Sequence, residues 1–97
     1  METQQAANNV IKAHLWTFGH SVKDVSEIPG TTYNLLINGK IRMTVIPEDP
    51  QGVGPVNKEG CDLLAFVYGN LKNPKKRYAK NGGEEFFPTP GKLITTE

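Results

Sequence analysis

The fold is decided by residues 32–46, whose sequence is TYNLLINGKIRMTVI. Residues 32–37 are rich in β-branched and aromatic side chains, which favour strands. Residues 40–46 alternate polar and apolar side chains, the pattern of a strand with one buried face. The dipeptide Asn38-Gly39 between them is the strongest short hairpin signal because both residues tolerate a positive φ. We therefore expect two antiparallel strands joined by a tight turn, with Pro47 ending the second.

The segment that follows the hairpin is predicted to be a loop leading into a buried strand. Residues 47–60 hold three prolines and three glycines, which sustain neither a ladder nor a helix. Residues 61–68 are continuously apolar apart from Asp62, as a central strand would be. Residues 84–87 are expected to add one short strand, and residues 91–97 to form a frayed tail.

Residues 3–18 have the periodicity of an amphipathic helix. Its inner face is predicted from Ala6, Val10, Ala13 and Phe18, widened by Ile11 and Leu15. We expect Thr3 to cap the start, Gly19 to end the helix, and Trp16 with Phe18 to anchor it on the rest of the fold.

A short strand is predicted after the helix, from Val22 through Val25 and Ile28 to the turn at Pro29-Gly30. The expected fold class is α+β: one domain over residues 1–97, with the N-terminal helix packed on a small mixed, mainly antiparallel β-sheet. The centre of that sheet should hold residues 33–37, 41–46 and 63–68.

Composition excludes several classes of protein. The chain has 97 residues, of which 37% are hydrophobic and 22% charged, too apolar for disorder. Its longest apolar run is six residues, 63–68, far short of the roughly 20 that cross a membrane. The net charge is +1, the single cysteine is Cys61, and no targeting signal is visible at the start. We expect a cytoplasmic protein without disulfides.

The order of these segments resembles the PD-(D/E)XK superfamily, the restriction-endonuclease-like fold that includes resolvases and homing enzymes. In that family an aromatic residue and an Asp precede a hairpin, a strand of the type Val-Glu-Val-Lys follows, and a buried strand opening with Asp comes after a loop. The matching residues here are Tyr33-Asn34, the strand ending Thr44-Val45-Ile46, and Asp62. The resemblance covers about residues 8–68 and implies a nuclease-like core.

The same resemblance implies that the catalytic motif is degenerate. The metal-binding Asp falls on Asn34, the Glu on Thr44 and the Lys on Ile46. Mg²⁺ requires carboxylate oxygens, and the lysine orients and activates water, so all three functions are lost. Glu48 and Asp49 lie just beyond this strand and are candidates for migrated carboxylates, although solvated loop charges are the simpler interpretation.

A basic segment is the only other feature with an obvious partner. Residues 72–80 carry five basic side chains, no acid and one aromatic ring. The candidate nucleic-acid-binding residues are Lys72, Lys75, Lys76, Arg77, Tyr78 and Lys80. The cations suit phosphates, and Tyr78 is expected to stack on a base. The alternative is a solvated loop whose lysines protect a strand edge from aggregation.

Two histidines and the cysteine suggest no catalytic or metal site. His14 and His20 do not match zinc-ligand spacing, and Cys61 at the head of a buried strand is typical of a small core residue. The segment Gly52-Val53-Gly54-Pro55 lacks the Lys-Ser/Thr of a phosphate-binding loop.

Two functions remain. The first is a non-catalytic binding module on a nuclease-like scaffold, with nucleic acid or a protein as partner and no cofactor. The second is an active Mg²⁺-dependent nuclease that uses Asn34, Thr44, Glu48 and Asp49. A twofold homodimer is expected in either case, because a core this small cannot readily bury all its aromatic residues. Those aromatics are Trp16, Phe66, Phe86 and Phe87.

Overall fold

The computed structural model describes residues 4–48, 60–70, 72–83, 85, 86 and 88, with Phe86 described by its backbone only. One helix precedes six strands. The elements are α1 (Gln4–Thr17), β1 (Val22–Asp24), β2 (Leu35–Ile37), β3 (Ile41–Ile46), β4 (Leu63–Asn70), β5 (Asn73–Lys80) and β6 (Glu85–Phe86). Several predictions fall outside the described residues: the Thr3 cap, Asp49, the segment 52–55, Phe87 and the tail 91–97.

The strands form one mixed sheet in the order β1-β2-β3-β4-β5-β6. Neighbouring strands are antiparallel, except that β4 runs parallel to β3 with Met43 opposite Leu63 and Ile46 opposite Phe66. The expected α+β class is therefore confirmed: an N-terminal helix packs on a mixed, mainly antiparallel sheet. No helix in the described part of the chain is long and apolar enough to cross a membrane.

The predicted hairpin at Asn38-Gly39 is confirmed. Asn38 has a φ of 54° and Gly39 a φ of 76°, and the Lys40 N–H donates to the Ile37 carbonyl at 3.1 Å. Two successive positive φ values give the turn a twist that matches the flanking strands. The turn sets the register that pairs Leu35 with Met43.

Helix α1 ends just before Gly19, as the sequence predicted. Gly19 has a φ of 85°, its N–H donates to the Trp16 carbonyl at 2.9 Å, and the His20 N–H donates to the Leu15 carbonyl at 3.1 Å. These two bonds satisfy the last carbonyls of the helix in a Schellman arrangement.

The buried face of α1 differs from the predicted one. Ala7, Ile11 and Leu15 are fully buried at four-residue spacing, whereas Ala13 is exposed. Trp16 is 57% exposed, so its assignment as an anchor was wrong. At 100° per residue, Trp16 lies about 140° from Ile11, the centre of the buried stripe, too far round the helix to contact the sheet.

The main core lies between α1 and one face of the sheet. Alternate residues of the strands point into it, among them Ile37, Met43, Val45 and Ala65. On the opposite face a smaller cluster joins Cys61, Leu64 and Phe66, with Tyr33 and Ile46 packed against it. Strand β3 therefore packs against buried residues on both faces of the sheet.

Two sequence expectations about strands are corrected. The first strand covers only residues 22–24: Val25 is buried beyond its end, but Ile28 is 47% exposed in the turn that follows. The basic segment, interpreted as a loop in one alternative, forms β5 and pairs with β4 over eight residues. Its charges concealed its alternation, because strands buried on one face only are recognised by apolar residues at every second position.

Candidate functional site

The three residues that the resemblance aligns with a catalytic motif lie at one end of the β2–β3 hairpin. Asn34 directly precedes β2, and Thr44 and Ile46 lie in the second half of β3. Because side chains alternate along a strand, Thr44 and Ile46 lie on the sheet face opposite to Met43 and Val45, which pack toward α1. Asn34, Thr44 and Ile46 therefore lie near the same end of the hairpin.

Asn34 has a structural role in the hairpin. Its side-chain Oδ1 accepts a hydrogen bond from the Val45 N–H at 2.6 Å. Its backbone N–H donates to the Met43 carbonyl, and its carbonyl accepts from the Val25 N–H, both at 2.9 Å. Asn34 thereby links three segments of the sheet, and its one good ligand oxygen is already occupied by a backbone donor.

Thr44 and Ile46 provide no metal ligand with an open approach. The Thr44 Oγ1 is buried and has no hydrogen-bond partner among the described residues. Ile46 packs against the cluster that contains Leu64 and Phe66. A buried hydroxyl without a hydrogen-bond partner lowers the stability of the fold by about 1–3 kcal/mol. The surroundings of Thr44 therefore suit an apolar side chain better than a ligand for an ion.

The donor set at this end of the sheet does not fit Mg²⁺. A hard divalent cation takes oxygen ligands, usually including carboxylates, and here the motif positions supply one committed amide and one buried hydroxyl. Glu48 is exposed two residues after β3, and Asp49 lies outside the described residues. Among the residues that the structure describes, no three His, Cys, Asp or Glu side chains are grouped as metal ligands.

A pair of amides on the helix side of β3 was missed by sequence reasoning. The Gln4 Nε2 donates to the Val45 carbonyl at 2.7 Å and to the Asn8 Oδ1 at 3.0 Å. Asn8 is fully buried, and its Nδ2 has no partner among the described residues. The i, i+4 spacing of Gln4 and Asn8 was the only available signal, and it is common on exposed helix faces.

The basic residues of β5 are divided between the two faces of the sheet. Tyr78 lies opposite Ala65, so Lys76 and Lys80 share the helix side with it, whereas Lys75 and Arg77 lie on the other side. Lys72 is exposed in the turn before β5. The chain therefore presents its cations around one strand rather than as a single flat patch.

Most cations of the segment 72–80 have no acidic partner among the described residues. Arg77 is paired with Glu85, with 3.4 Å between Nη1 and Oε2, but both side chains are about half exposed and the pair is weak. Among the described residues, no carboxylate lies within 4 Å of the four lysines of this segment. Those lysines are Lys72, Lys75, Lys76 and Lys80.

Tyr78 does not serve as a base-stacking residue. Its side chain is 1% exposed and belongs to the main core, so neither ring face is accessible to a nucleobase. This part of the sequence interpretation was wrong, because a tyrosine surrounded by lysines marks the buried face of a strand here. Burial also raises the pKa of the Tyr78 hydroxyl well above its usual value.

The Tyr78 hydroxyl contacts a histidine of α1. It lies 2.6 Å from His14 Nδ1, and the two rings are stacked with centroids 5.6 Å apart. The imidazole also makes an edge-type contact with the ring of Phe18, at a centroid distance of 5.0 Å. Burial, and then the charge of Lys76, lowers the pKa of His14 below 6.5.

The second histidine and the cysteine have structural positions. His20 is buried after the helix, with its Nδ1 3.3 Å from the Asn38 Nδ2 of the hairpin turn. Cys61 is buried just before β4, and the Asn81 Nδ2 donates to its carbonyl at 2.9 Å. The burial of Cys61 confirms its predicted role as a small core residue.

Comparisons of this chain with protein-family models, with curated proteins and with solved structures find no match. Any functional proposal therefore rests on the sequence and the geometry of this chain.

Proposed function

We propose that this protein is a non-catalytic binding module on a nuclease-like scaffold, and that it binds nucleic acid through the cations of β5. The observation that carries the proposal is the set of four lysines on and next to β5 without acidic partners among the described residues. Each phosphate that they neutralise releases counterions, which favours association.

The arrangement of the sheet supports the scaffold part of the proposal. A helix, an antiparallel hairpin and a buried strand parallel to β3 occur in the order that the resemblance implies. Resolvases and homing enzymes of the superfamily that the sequence resembles act on nucleic acid, so a polynucleotide is the partner class that the resemblance favours. The donor set at Asn34, Thr44 and Ile46 favours binding without metal-dependent cleavage.

The position of β5 allows cations from both faces to reach one partner. In the described part of the sheet, β6 pairs only with Tyr78 and Ala79 of β5. Lys75 and Lys76 therefore lie in a part of β5 that forms the edge of the described sheet. Lysine side chains are long and flexible, and side chains on one face repeat every 6.6–7 Å, as follows from a rise of roughly 3.3 Å per residue. A phosphate backbone that runs along this edge of the sheet would contact lysines that come alternately from the two faces. A cytoplasmic setting is part of this proposal.

Binding is tested with a pair of matched variants. In Lys75→Gln/Lys76→Gln two cations of β5 are removed, and in the control Lys23→Gln/Lys40→Gln two exposed lysines of β1 and the hairpin turn are removed. Both variants lose the same net charge. We measure fluorescence anisotropy with labelled single-stranded and duplex oligonucleotides over a series of salt concentrations.

The proposal expects the β5 variant to bind about tenfold more weakly, with a smaller slope of log K against log salt. The control should remain within about twofold of wild type. Equal losses in both variants would indicate a general charge effect and contradict a site at β5, as would the absence of binding by wild type. Preference for an acidic protein over oligonucleotides at equal ionic strength would likewise contradict it.

A further inference from the structure

His14 lies where the helix meets the basic strand. It is half-buried on α1, and its imidazole contacts Tyr78 of β5. Lys76 lies two residues before Tyr78, on the same face of the strand, and its charge acts on the imidazole. A cation of the proposed binding surface therefore lies next to a histidine that sequence analysis had assigned no function.

The contact with Tyr78 fixes which nitrogen of His14 is left for a ligand. When the Tyr78 hydroxyl donates to Nδ1, the neutral imidazole carries its proton on Nε2. No described residue accepts a hydrogen bond from Nε2. Stacking against Tyr78 and the edge contact with Phe18 hold the ring in this orientation.

We propose that His14 is a further phosphate-contacting residue, which donates from Nε2 to a phosphate oxygen held jointly with Lys76, and that its protonation strengthens binding. This inference rests on the proposed function. Tyr78 acts in it as a positioning residue, since it orients the imidazole without touching the phosphate.

Protonation of His14 adds a positive charge but leaves its hydrogen bond with Tyr78 in place. In the imidazolium both nitrogens carry hydrogens, so Nδ1 donates to the Tyr78 oxygen in place of accepting from it. In the described part of the chain, the titratable or charged groups that face His14 are Lys76 and Tyr78, both from β5, and Lys76 disfavours the imidazolium. A bound phosphate reverses that effect, so affinity rises as the pH falls through the pKa of His14, below 6.5.

The test compares affinities at pH 7.5 and pH 5.5 at constant salt. The probe is a labelled oligothymidylate, because thymine does not titrate in this range. Wild type should bind about threefold or more tightly at pH 5.5. His14→Gln should lose this pH dependence, and His14→Lys should bind about equally tightly at both pH values. His20→Gln, the control at the other histidine, should retain the wild-type ratio.

Tyr78→Phe should keep the pH dependence but bind more weakly at both pH values, because the imidazole is no longer oriented. A measurement on wild type alone avoids any loss of folding in the variants. By NMR, saturating oligothymidylate should raise the pKa of His14.

The outcomes separate the inference from the proposed function. If wild type binds through Lys75 and Lys76 but His14→Gln keeps the full pH dependence, or the pKa of His14 does not rise on binding, the inference is contradicted and the proposed function stands. If wild type binds no oligonucleotide at either pH, both are contradicted.

Discussion

Arg42 and Asp62 hold the two parallel strands of the sheet in register. The Asp62 carboxylate accepts hydrogen bonds from Arg42 Nη2 at 3.0 Å, Nε at 3.1 Å and the backbone N–H at 3.0 Å. The Asp62 N–H donates in return to the Arg42 carbonyl at 2.8 Å. Arg42 lies in β3 and Asp62 lies directly before β4. This set of hydrogen bonds, the Arg42–Asp62 bracket, therefore fixes where β4 begins. These hydrogen bonds hold the pKa of Asp62 below its usual value.

Asp62→Asn should lower the midpoint of thermal unfolding at neutral pH. The amide keeps the size of the side chain but presents only one acceptor oxygen to the guanidinium fork. Lys40→Gln, which removes an exposed charge of the hairpin turn, is the control and should leave the midpoint unchanged. An unchanged midpoint in Asp62→Asn would show that the bracket does not stabilise the parallel pair.

Asp24 should make the protein sensitive to acid. Burial alone would raise the pKa of its carboxyl, but hydrogen bonds from Ser26 and Gln5, together with the charge of Lys12, lower it to about 2. A depressed pKa stabilises the folded state above the unfolded value near 3.8, and this stabilisation is lost as the pH falls toward 2.

Asp24→Asn should therefore lower the free energy of unfolding at pH 7 by about 1–2 kcal/mol, allowing for solvent screening. The same variant should show a smaller loss of stability between pH 4 and pH 2 than wild type does. Urea unfolding at several pH values measures both effects. Identical pH profiles for the two proteins would refute the role of Asp24.

Thr44→Val should stabilise the protein by about 1 kcal/mol. The substitution replaces a buried hydroxyl that has no described partner with a methyl group of similar size. Thr44→Glu, which restores the motif residue of the resemblance, should destabilise it strongly because a carboxylate would be buried there. Urea unfolding of both variants is the measurement. A loss of more than 1 kcal/mol in Thr44→Val would mean that the hydroxyl is hydrogen-bonded in solution.

We still expect the protein to form a homodimer. Of the described aromatic residues on which this expectation was based, Trp16 is the one that a dimer interface would cover. Phe66 is buried within the chain, whereas Trp16 is 57% exposed on α1. Sedimentation at high micromolar concentration should give a dimer, and Trp16→Gln should shift it toward monomer. A monomeric wild type at that concentration would remove the expectation.

Sequence predicted the parts of the fold that depend on local chemistry. The Asn38-Gly39 turn and the Gly19 helix end were recognised because positive φ restricts which residues occur there. Strand β5 was missed because Lys75, Lys76 and Arg77 hide the alternation that marks a strand.

The candidate site was predictable in composition but not in arrangement. The missing carboxylates at Asn34 and Thr44 follow from residue identity alone, given the resemblance. The hydrogen bond from the Val45 N–H to Asn34 and the contact of His14 with Tyr78 join residues 11 and 64 positions apart. Such contacts depend on how strands and helix pack, which spacing along the chain does not encode.

The central claim, binding without cleavage, is tested by incubating wild type with end-labelled oligonucleotides and supercoiled DNA in Mg²⁺, in Mn²⁺ and in chelator. Each reaction is divided between a native gel, which detects complexes, and a denaturing gel, which detects cleavage. We predict the same retarded complex in all three conditions, intact nucleic acid throughout, and loss of the complex in Lys75→Gln/Lys76→Gln. Cleavage that disappears with chelator and with Glu48→Gln or Asp49→Asn would contradict the claim and place an active metal site after β3.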